Sequence, residues 1–131
     1  MLVREYFQDD ELCCHCGCGL MPSQEAVERL YALRILLRRE LPISSAARCR
    51  KQNGVAGGKA GSIHLPPTVR IGASAEWGGG AFDILADKDL QIAIIAAALK
   101  CGFVGFGTAN RYIHIDDAAR PGGLTYWKYD V

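Results

Sequence analysis

The amino-acid sequence predicts a single α+β domain that contains a small, largely antiparallel sheet and two main helices. The chain has 131 residues, and 50% of them are hydrophobic, which suffices for one modest core and leaves no room for a second domain. Two segments show helical periodicity with helix-terminal signals, and four short segments have the composition of strands.

The first helix is predicted to begin after Ser23. Apolar residues recur there at intervals of three and four, and Arg38 and Arg39 are predicted to lie in the last turn, where cations favour the helix dipole. The apolar positions are Val27, Leu30, Leu33, Leu37 and Leu41. The segment "LPISS" then predicts a short strand, and the glycine-rich segment "RCRKQNGVAGGKAGS" predicts a loop.

The second half of the chain predicts a strand, a helix and a hairpin. The segment "AFDILA" has the composition of a buried strand. Asp87 can cap the helix that follows, and Gly102 would end it, because glycine readily adopts the left-handed conformation at that position. The segments "FVGFG" and "RYIHID" are predicted to pair as a hairpin.

Composition and charge argue against several classes of protein. The net charge of +1 gives no reason to expect a nucleic-acid partner. The first residues lack a basic segment followed by an apolar one, so no signal peptide is expected. The most apolar stretch is interrupted by Gln91 and Lys100, so a soluble protein without a membrane span is expected.

One predicted strand carries a histidine and a carboxylate on the same face. Strand alternation places His114 and Asp116 on one side and Ile113 and Ile115 on the other. His114 is therefore either a core-edge histidine hydrogen-bonded to a carboxylate or a metal ligand.

Two further residues could complete a metal site. Asp83 lies in an otherwise apolar strand, where a carboxylate is costly unless it is paired or binds a cation. His64 follows the glycine-rich segment. Together with His114 they provide two imidazoles and one carboxylate, a ligand set of catalytic zinc, although residue types alone leave a structural interpretation open.

Several short motifs occur in an order that resembles a known family. They are "ELCCHCGCG", "PISSAARCRKQNGVAGGKAGSIH", "GGAFDI" and "YIHIDDAARPG". The sequence resembles the zinc D-Ala-D-Ala carboxypeptidase and VanY-like peptidase family, in particular its small bacteriophage and prophage branch. The resemblance implies a hedgehog/DD-peptidase-like fold and a zinc peptidase-like domain over residues 1–131, with the cysteine-rich segment 1–22 packed on it.

The resemblance also implies roles for individual residues. His64, Asp83 and His114 are expected to bind zinc, which would polarise the scissile carbonyl. Arg48 matches the arginine that in this family faces the active site and helps to hold the substrate carbonyl or carboxylate. Ser62 would orient the loop before the first ligand or contact the substrate.

The sequence departs from the family pattern in two places. The segment between the first histidine and the aspartate is longer than usual, and its Glu76 and Trp77 would either contact substrate or pack within a surface loop. Arg111 stands three residues before His114, where many members carry the acidic general base.

Asp116 is the best substitute for the missing acid. It projects from the same strand face as His114, so it could accept a proton as general base or orient the histidine. Glu76 and Asp117 are weaker candidates.

The cysteines form a second candidate site. Cys14, Cys16 and Cys18 alternate along the chain, and Cys49 lies in the matching Arg-Cys motif. Because alternating residues of one strand rarely close a tetrahedral site, Cys49 would have to complete it. A structural metal site and a disulfide to Cys49 both remain open at this point.

The sequence therefore predicts a zinc peptidase that cuts the peptidoglycan stem peptide as a D,D-carboxypeptidase or an L-Ala-D-Glu-type endopeptidase. A phage or prophage lysis enzyme or tail-associated component is expected, in the host cytoplasm or the virion and acting at the cell wall. Its expected partners are peptidoglycan and phage structural proteins. The alternative is a zinc-bearing structural or wall-binding module of a phage particle without turnover.

Overall fold

The computed structural model describes residues 6–58, 62–65, 80–120 and 122–129. In these ranges, four helices and a five-stranded mixed sheet confirm the predicted α+β class and are consistent with a small hedgehog-like peptidase fold. The helices are α1 (Asp9–Leu12), α2 (Gln24–Leu37), α3 (Arg50–Val55) and α4 (Lys88–Lys100). The strands are β1 (Ile43–Ser45), β2 (Ala81–Leu85), β3 (Gly105–Thr108), β4 (Tyr112–Asp116) and β5 (Thr125–Lys128).

The sheet has the strand order β1-β2-β4-β3-β5. Its first four strands pair antiparallel, as predicted, whereas β5 pairs parallel to β3 at one edge. The predicted hairpin is confirmed as β3 and β4, which pair in register around Gly107 and His114.

The alternation of side chains along β2 and β4 separates the core from the candidate site. Phe82 and Ile84 of β2, with Ile113 and Ile115 of β4, are almost fully buried in the hydrophobic core. Helices α2 and α4 pack together and contribute Leu30, Leu33 and Ile94 to the same core. Burying each such side chain contributes roughly 1.5–3 kcal/mol, so the core fixes which face of the sheet carries Asp83 and His114.

Helix α2 begins as predicted but ends earlier. The Ser23 hydroxyl accepts a hydrogen bond from the Ala26 amide at 3.2 Å. The helix stops at Leu37 because Arg38 adopts the left-handed conformation, with φ of 56°. The prediction that Arg38 and Arg39 lie in the last turn was therefore wrong, and Leu41 reaches the core from beyond the helix.

Helix α4 has the predicted ends. The Asp87 carboxylate accepts a hydrogen bond from the Leu90 amide at 2.9 Å. Gly102 has φ of +96°, which a residue with a side chain rarely adopts. None of the helices in the described ranges combines the length and apolar character that crossing a membrane requires.

Three elements were not predicted. The segment predicted as a loop contains α3, because the Cys49 sulfur accepts a hydrogen bond from the Gln52 amide at 3.4 Å and caps a helical turn. The other two unpredicted elements are the short helix α1 and the edge strand β5.

Candidate metal centre

A row of five residues, one from each strand, crosses the sheet on the face opposite the core. Strand pairing aligns Ser45 with Asp83, Asp83 with His114, His114 with Gly107, and Gly107 with Trp127. Directly opposed residues of neighbouring strands share a face, so this row brings an aspartate and a histidine together by backbone pairing alone.

His64 joins this row from the short described segment 62–65 and completes a cluster with Asp83 and His114, called here the histidine–aspartate centre. Asp83 Oδ1 lies 3.2 Å from His64 Nε2 and 3.2 Å from His114 Nδ1. The three side chains are buried, and their candidate ligand atoms all lie within 4.8 Å of one another. The structure thus brings the three predicted ligands together.

The second nitrogen of each imidazole is held by another group. His64 Nδ1 lies 2.6 Å from the carbonyl oxygen of Ala46, and His114 Nε2 lies 2.7 Å from Asp116 Oδ2. A carbonyl and a carboxylate oxygen can only accept, so these nitrogens carry the protons. The lone pairs of His64 Nε2 and His114 Nδ1 therefore face Asp83 Oδ1, and a metal ion would lie among these three atoms.

Electrostatics favour the neutral form of His64 and the ionised form of Asp83, both of which metal binding needs. Burial lowers the pKa of the His64 imidazole, although Asp83 opposes the shift. Burial alone would raise the pKa of Asp83, but the neighbouring imidazoles outweigh it and hold that pKa well below its usual range. For His114, burial lowers the pKa, but hydrogen bonds to Asp116 and Asp83 outweigh this effect and raise it.

The donor set fits a tetrahedral zinc ion. Zinc–nitrogen and zinc–oxygen distances of about 2.0–2.1 Å place tetrahedral ligands about 3.3 Å apart. The oxygen of Asp83 lies 3.2 Å from each histidine nitrogen, close to that separation. Three protein donors also leave a fourth position for a water molecule or substrate, as in catalytic zinc sites.

Arg48 holds the aspartate from the other side. Its guanidinium is buried and donates to Asp83 Oδ2 at 3.2 Å, to Ser45 Oγ at 2.9 Å and to Asn53 Oδ1 at 3.3 Å. Its backbone amide also donates to the His64 carbonyl at 2.8 Å. Arg48 thus contacts a candidate ligand through its side chain and positions another through its backbone.

Ser62 contacts the same segment of backbone. Its hydroxyl accepts a hydrogen bond from the His64 amide at 3.3 Å. A contact of this kind orients the backbone before His64, which is one of the two roles considered for Ser62 from the sequence.

Asp116 is fully buried, and both of its carboxylate oxygens are engaged. Arg120 donates to Oδ1 at 2.8 Å and to Oδ2 at 2.7 Å, and the Ala118 amide donates to Oδ1 at 3.1 Å. Burial alone would raise the pKa of Asp116, but hydrogen bonds from His114 and Arg120 outweigh it and place the pKa at about 2. The residue is therefore an anion held between a histidine and an arginine.

An aromatic group from beyond β4 was not predicted. Trp127 of β5 lies with its ring 5.2 Å from that of His114, and the guanidinium of Arg120 lies 5.4 Å from the Trp127 ring. Gly107 makes this contact possible, because a side chain there would collide with the rings of Trp127 and Tyr129. The alternation of aromatic residues in "TYWKY" was the available sequence signal.

Three other residues considered from the sequence lie apart from the centre or outside the described residues. Arg111 helps to line a surface cavity of about 450 Å³ together with Arg39 and Asp87, and none of the three candidate ligands lines that cavity. Glu76 and Trp77 lie outside the described residues.

The buried set of two histidines and one aspartate in this small α+β domain could hold a metal ion, and it has the residue types of a zinc-hydrolase site. A model of the family described as Peptidase M15 matches residues 5–116, most of the chain, and the chain belongs to this family. This membership confirms the resemblance to zinc D-Ala-D-Ala carboxypeptidases and VanY-like peptidases, and it supports a peptidoglycan-acting metallopeptidase. No curated protein and no solved structure gives a significant match.

The family match ends at Asp116. Strand β5, which carries Trp127, therefore lies outside the matched region.

Proposed function

We propose that this protein is a zinc peptidase that hydrolyses a bond of the bacterial peptidoglycan stem peptide. One observation carries the proposal: three buried donor atoms converge in a chain of the Peptidase M15 family, and each donor residue is held by a further group. We further propose a phage or prophage origin, on the order of the short motifs along the sequence.

The chain's own residues determine how zinc would be held. His64 Nε2, His114 Nδ1 and Asp83 Oδ1 are the proposed ligand atoms. Bound there, zinc supplies a Lewis acid that polarises the scissile carbonyl and lowers the pKa of water from about 15.7 toward 7. Because Arg48 donates to Asp83 Oδ2, only Oδ1 of the aspartate would be available to hold zinc.

Asp116 acts in this proposal as a positioning residue for His114. It accepts the Nε2 proton, fixes the tautomer and the ring orientation, and increases the basicity of Nδ1. Arg120 keeps the Asp116 carboxylate ionised and in place. The fully engaged, buried carboxylate favours this role over that of general base, the other role considered for Asp116.

Arg48 is proposed to act mainly as a positioning residue as well. Each of its three nitrogens already donates within the protein, to a serine, an asparagine and an aspartate. The resemblance to the family assigns it a substrate contact in addition, which a reoriented Nη1 or Nη2 could make.

We place the substrate beside an aromatic wall formed by Tyr112, Trp127 and Tyr129. Neighbouring rings of this wall lie 5.7–6.2 Å apart, and Trp127 lies next to His114. Aromatic faces provide large, rigid contact areas, which suits an extended peptide with small side chains.

A second candidate function is a zinc-bearing wall-binding module that does not hydrolyse its ligand. One observation favours it: no acid with a free carboxylate is found near His114 among the described residues of β4 and the segment after it. Arg111 replaces the usual acid, and the carboxylates of Asp116 and Asp117 are each bound to an arginine. The experiment must therefore measure zinc and turnover separately.

Purified sacculi incubated with the zinc-loaded protein, followed by mass analysis of released fragments, test the proposal. Release of free D-alanine would identify a D,D-carboxypeptidase, and release of stem peptides that begin at D-Glu, with L-Ala left on the glycan, would identify an L-Ala-D-Glu-type endopeptidase. His64→Ala and His114→Ala should each lose one zinc ion per chain and all hydrolysis, because a three-ligand site seldom survives on two ligands.

Arg111→Ala serves as the matched control, since it changes an exposed residue away from the histidine–aspartate centre. It should keep both zinc and activity. Unchanged zinc content in both histidine variants would refute the site. Wild-type protein that holds zinc and binds sacculi without cutting them would establish the wall-binding module instead.

A further inference from the structure

Four cysteines form a cluster that the histidine–aspartate centre does not use. The cysteine cluster comprises Cys14, Cys16, Cys18 and Cys49, whose sulfurs all lie within 4.8 Å of one another. The Sγ atom of Cys16 lies 3.5 Å from that of Cys14 and 3.5 Å from that of Cys49. All six cysteines of the chain lie in the described ranges, and none of them forms a disulfide.

The spacing of the sulfurs matches a shared metal ion better than a covalent bond. Zinc–sulfur bonds of about 2.3 Å place tetrahedral thiolates about 3.8 Å apart, whereas a disulfide requires about 2.05 Å. A disulfide would also use only two of the four sulfurs. A single tetrahedral ion accounts for all four.

The backbone of residues 14–20 folds into turns that gather the thiols. The Cys14 amide donates to the Leu20 carbonyl at 2.8 Å, and the Gly17 amide donates to the Cys14 carbonyl at 3.2 Å. Gly17 and Gly19 have φ of +86° and +82°, which glycine adopts without strain. The expectation of alternating residues on a strand was therefore wrong, and the turns remove the geometric objection to three neighbouring ligands.

Backbone amides point at two of the sulfurs. The Cys49 amide donates to Cys14 Sγ at 3.3 Å, and the Gln52 amide donates to Cys49 Sγ at 3.4 Å. Hydrogen bonds of this kind stabilise negative charge on sulfur and orient thiolate ligands.

We propose that the cysteine cluster binds a structural zinc ion that is separate from the histidine–aspartate centre. Four thiolates in a tetrahedral arrangement select zinc or iron over magnesium and calcium, and zinc closes such sites without redox chemistry. Cys16 and Cys18 are exposed, so an ion can reach the cluster from solvent. Binding replaces the thiol protons, which are released to the solvent.

The position of Cys49 gives the ion a structural role. Cys49 follows Arg48 directly and caps α3, so an ion shared with Cys14 ties the turns of residues 14–20 to the start of that helix. The same stretch of backbone carries the guanidinium that holds Asp83. The ion would thereby fix the anchor point of Arg48.

Metal content and cobalt spectra test the proposal independently of hydrolysis. Wild-type protein purified under reducing conditions should hold about two zinc ions per chain, and metal-free protein should develop thiolate-to-cobalt charge-transfer absorption on titration with Co²⁺. Cys49→Ser and Cys16→Ser should each lose about one zinc ion and most of this absorption. His114→Ala should lose the other zinc ion and keep the absorption.

Cys101→Ser is the matched control, because Cys101 lies outside the cluster at the end of α4. It should keep both ions and the cobalt spectrum. Cys16 is exposed, so Cys16→Ser gives a folded variant even if the capping residue Cys49 cannot be replaced. Circular dichroism checks the fold of each variant.

Three results would overturn the proposal. The first is wild-type protein without thiolate-to-cobalt absorption. The second is full zinc content in both Cys16→Ser and Cys49→Ser. The third is a thiol count of four rather than six in denatured, chelated protein prepared without reductant, which would establish a disulfide.

Discussion

The histidine–aspartate centre and the cysteine cluster are held in different ways. The first has two of its three candidate ligands on paired strands, its residues are at most 9% exposed, and each candidate ligand contacts a further group that fixes its orientation. The second lies on turns, two of its four cysteines are exposed, and two amide–sulfur hydrogen bonds are its main orienting contacts. The protein preassembles one site, whereas in the other we expect the ion to complete the assembly.

This difference fits the roles that we propose for the two sites. A catalytic ion needs ligands held in one orientation while substrate arrives, and rigid strands with supporting hydrogen bonds provide that. A structural ion only has to join two segments, so turns that close around it suffice.

The largest effect is expected from loosening the preassembled centre at Arg48. Arg48→Lys should lower hydrolysis by about 10²-fold or more, because an ammonium cannot reproduce the planar fork that contacts three neighbours. If Arg48 positions Asp83, zinc affinity falls in parallel and excess zinc recovers part of the activity. A loss of turnover with full zinc affinity would instead indicate a direct role on substrate.

Arg50→Lys is the matched control, since Arg50 is exposed at the start of α3, two residues after Arg48. It should keep wild-type activity. Wild-type activity in Arg48→Lys would show that the guanidinium fork is dispensable and would refute its role in positioning Asp83.

Removing both metal ions should separate the two regions directly. Hydrogen exchange followed by mass spectrometry should show that chelation lowers the protection of the amides of Cys14, Cys49 and Gln52. If the free ion was present at 100 times its Kd before chelation, the protection should fall by about 10²-fold. The amides of β2 and β4 should keep their protection, since their hydrogen bonds run between strands. Equal loss in the strands would contradict the view that the protein preassembles the histidine–aspartate centre.

Asp116→Asn tests how the preassembled centre holds His114. The change replaces the charged acceptor of the Nε2 proton, so zinc affinity should fall by about 10 to 100-fold, with partial recovery of activity in excess zinc. A general base would instead leave zinc affinity intact while hydrolysis fell by about 10² to 10⁴-fold. Asp117→Asn is the control, because the neighbouring Asp117 pairs with Arg29.

The smallest expected effect is on the free energy of unfolding. Its dependence on pH should have opposite signs for Asp116 and Asp117. Burial raises the pKa of Asp117, although Arg29 opposes the shift, so its stabilising contribution is present at low pH and lost as the pH rises through the folded value. For Asp116, hydrogen bonds from His114 and Arg120 hold the pKa in the folded protein at about 2, below the ordinary value of about 4. These contacts therefore stabilise the folded state fully above about pH 4, and this stabilisation is lost as the pH falls.

Denaturant unfolding of the metal-free variants between about pH 3 and 7 measures these signs. Relative to wild type, Asp117→Asn should gain stability as the pH rises, and Asp116→Asn should lose it. The same slope in both variants would contradict the assigned environments of the two carboxylates.

Local patterns made much of the fold predictable. Alternation along "RYIHID" places His114 and Asp116 together, and the caps at Ser23 and Asp87 mark where helices begin. These signals depend on a few neighbouring residues, so a single sequence contains them.

The rest depends on contacts between distant parts of the chain. Strand β5 exists because it pairs with β3, and its aromatic residues fit because Gly107 leaves space opposite Trp127. Helix α3 is capped by a cysteine sulfur, for which propensity gives no warning. The arginine that holds Asp116 follows it by four residues, but only the path of the chain after β4 brings Arg120 back onto the carboxylate.

The sheet register also governs how the protein would exchange its metal. Asp83 and His114 face each other across paired strands, so these donors separate only when the sheet opens. His64 comes from outside the sheet and is attached through the Ala46 carbonyl and the Arg48 amide. Zinc release should therefore begin at His64, with an exchange rate set by the opening of its segment and not by global unfolding.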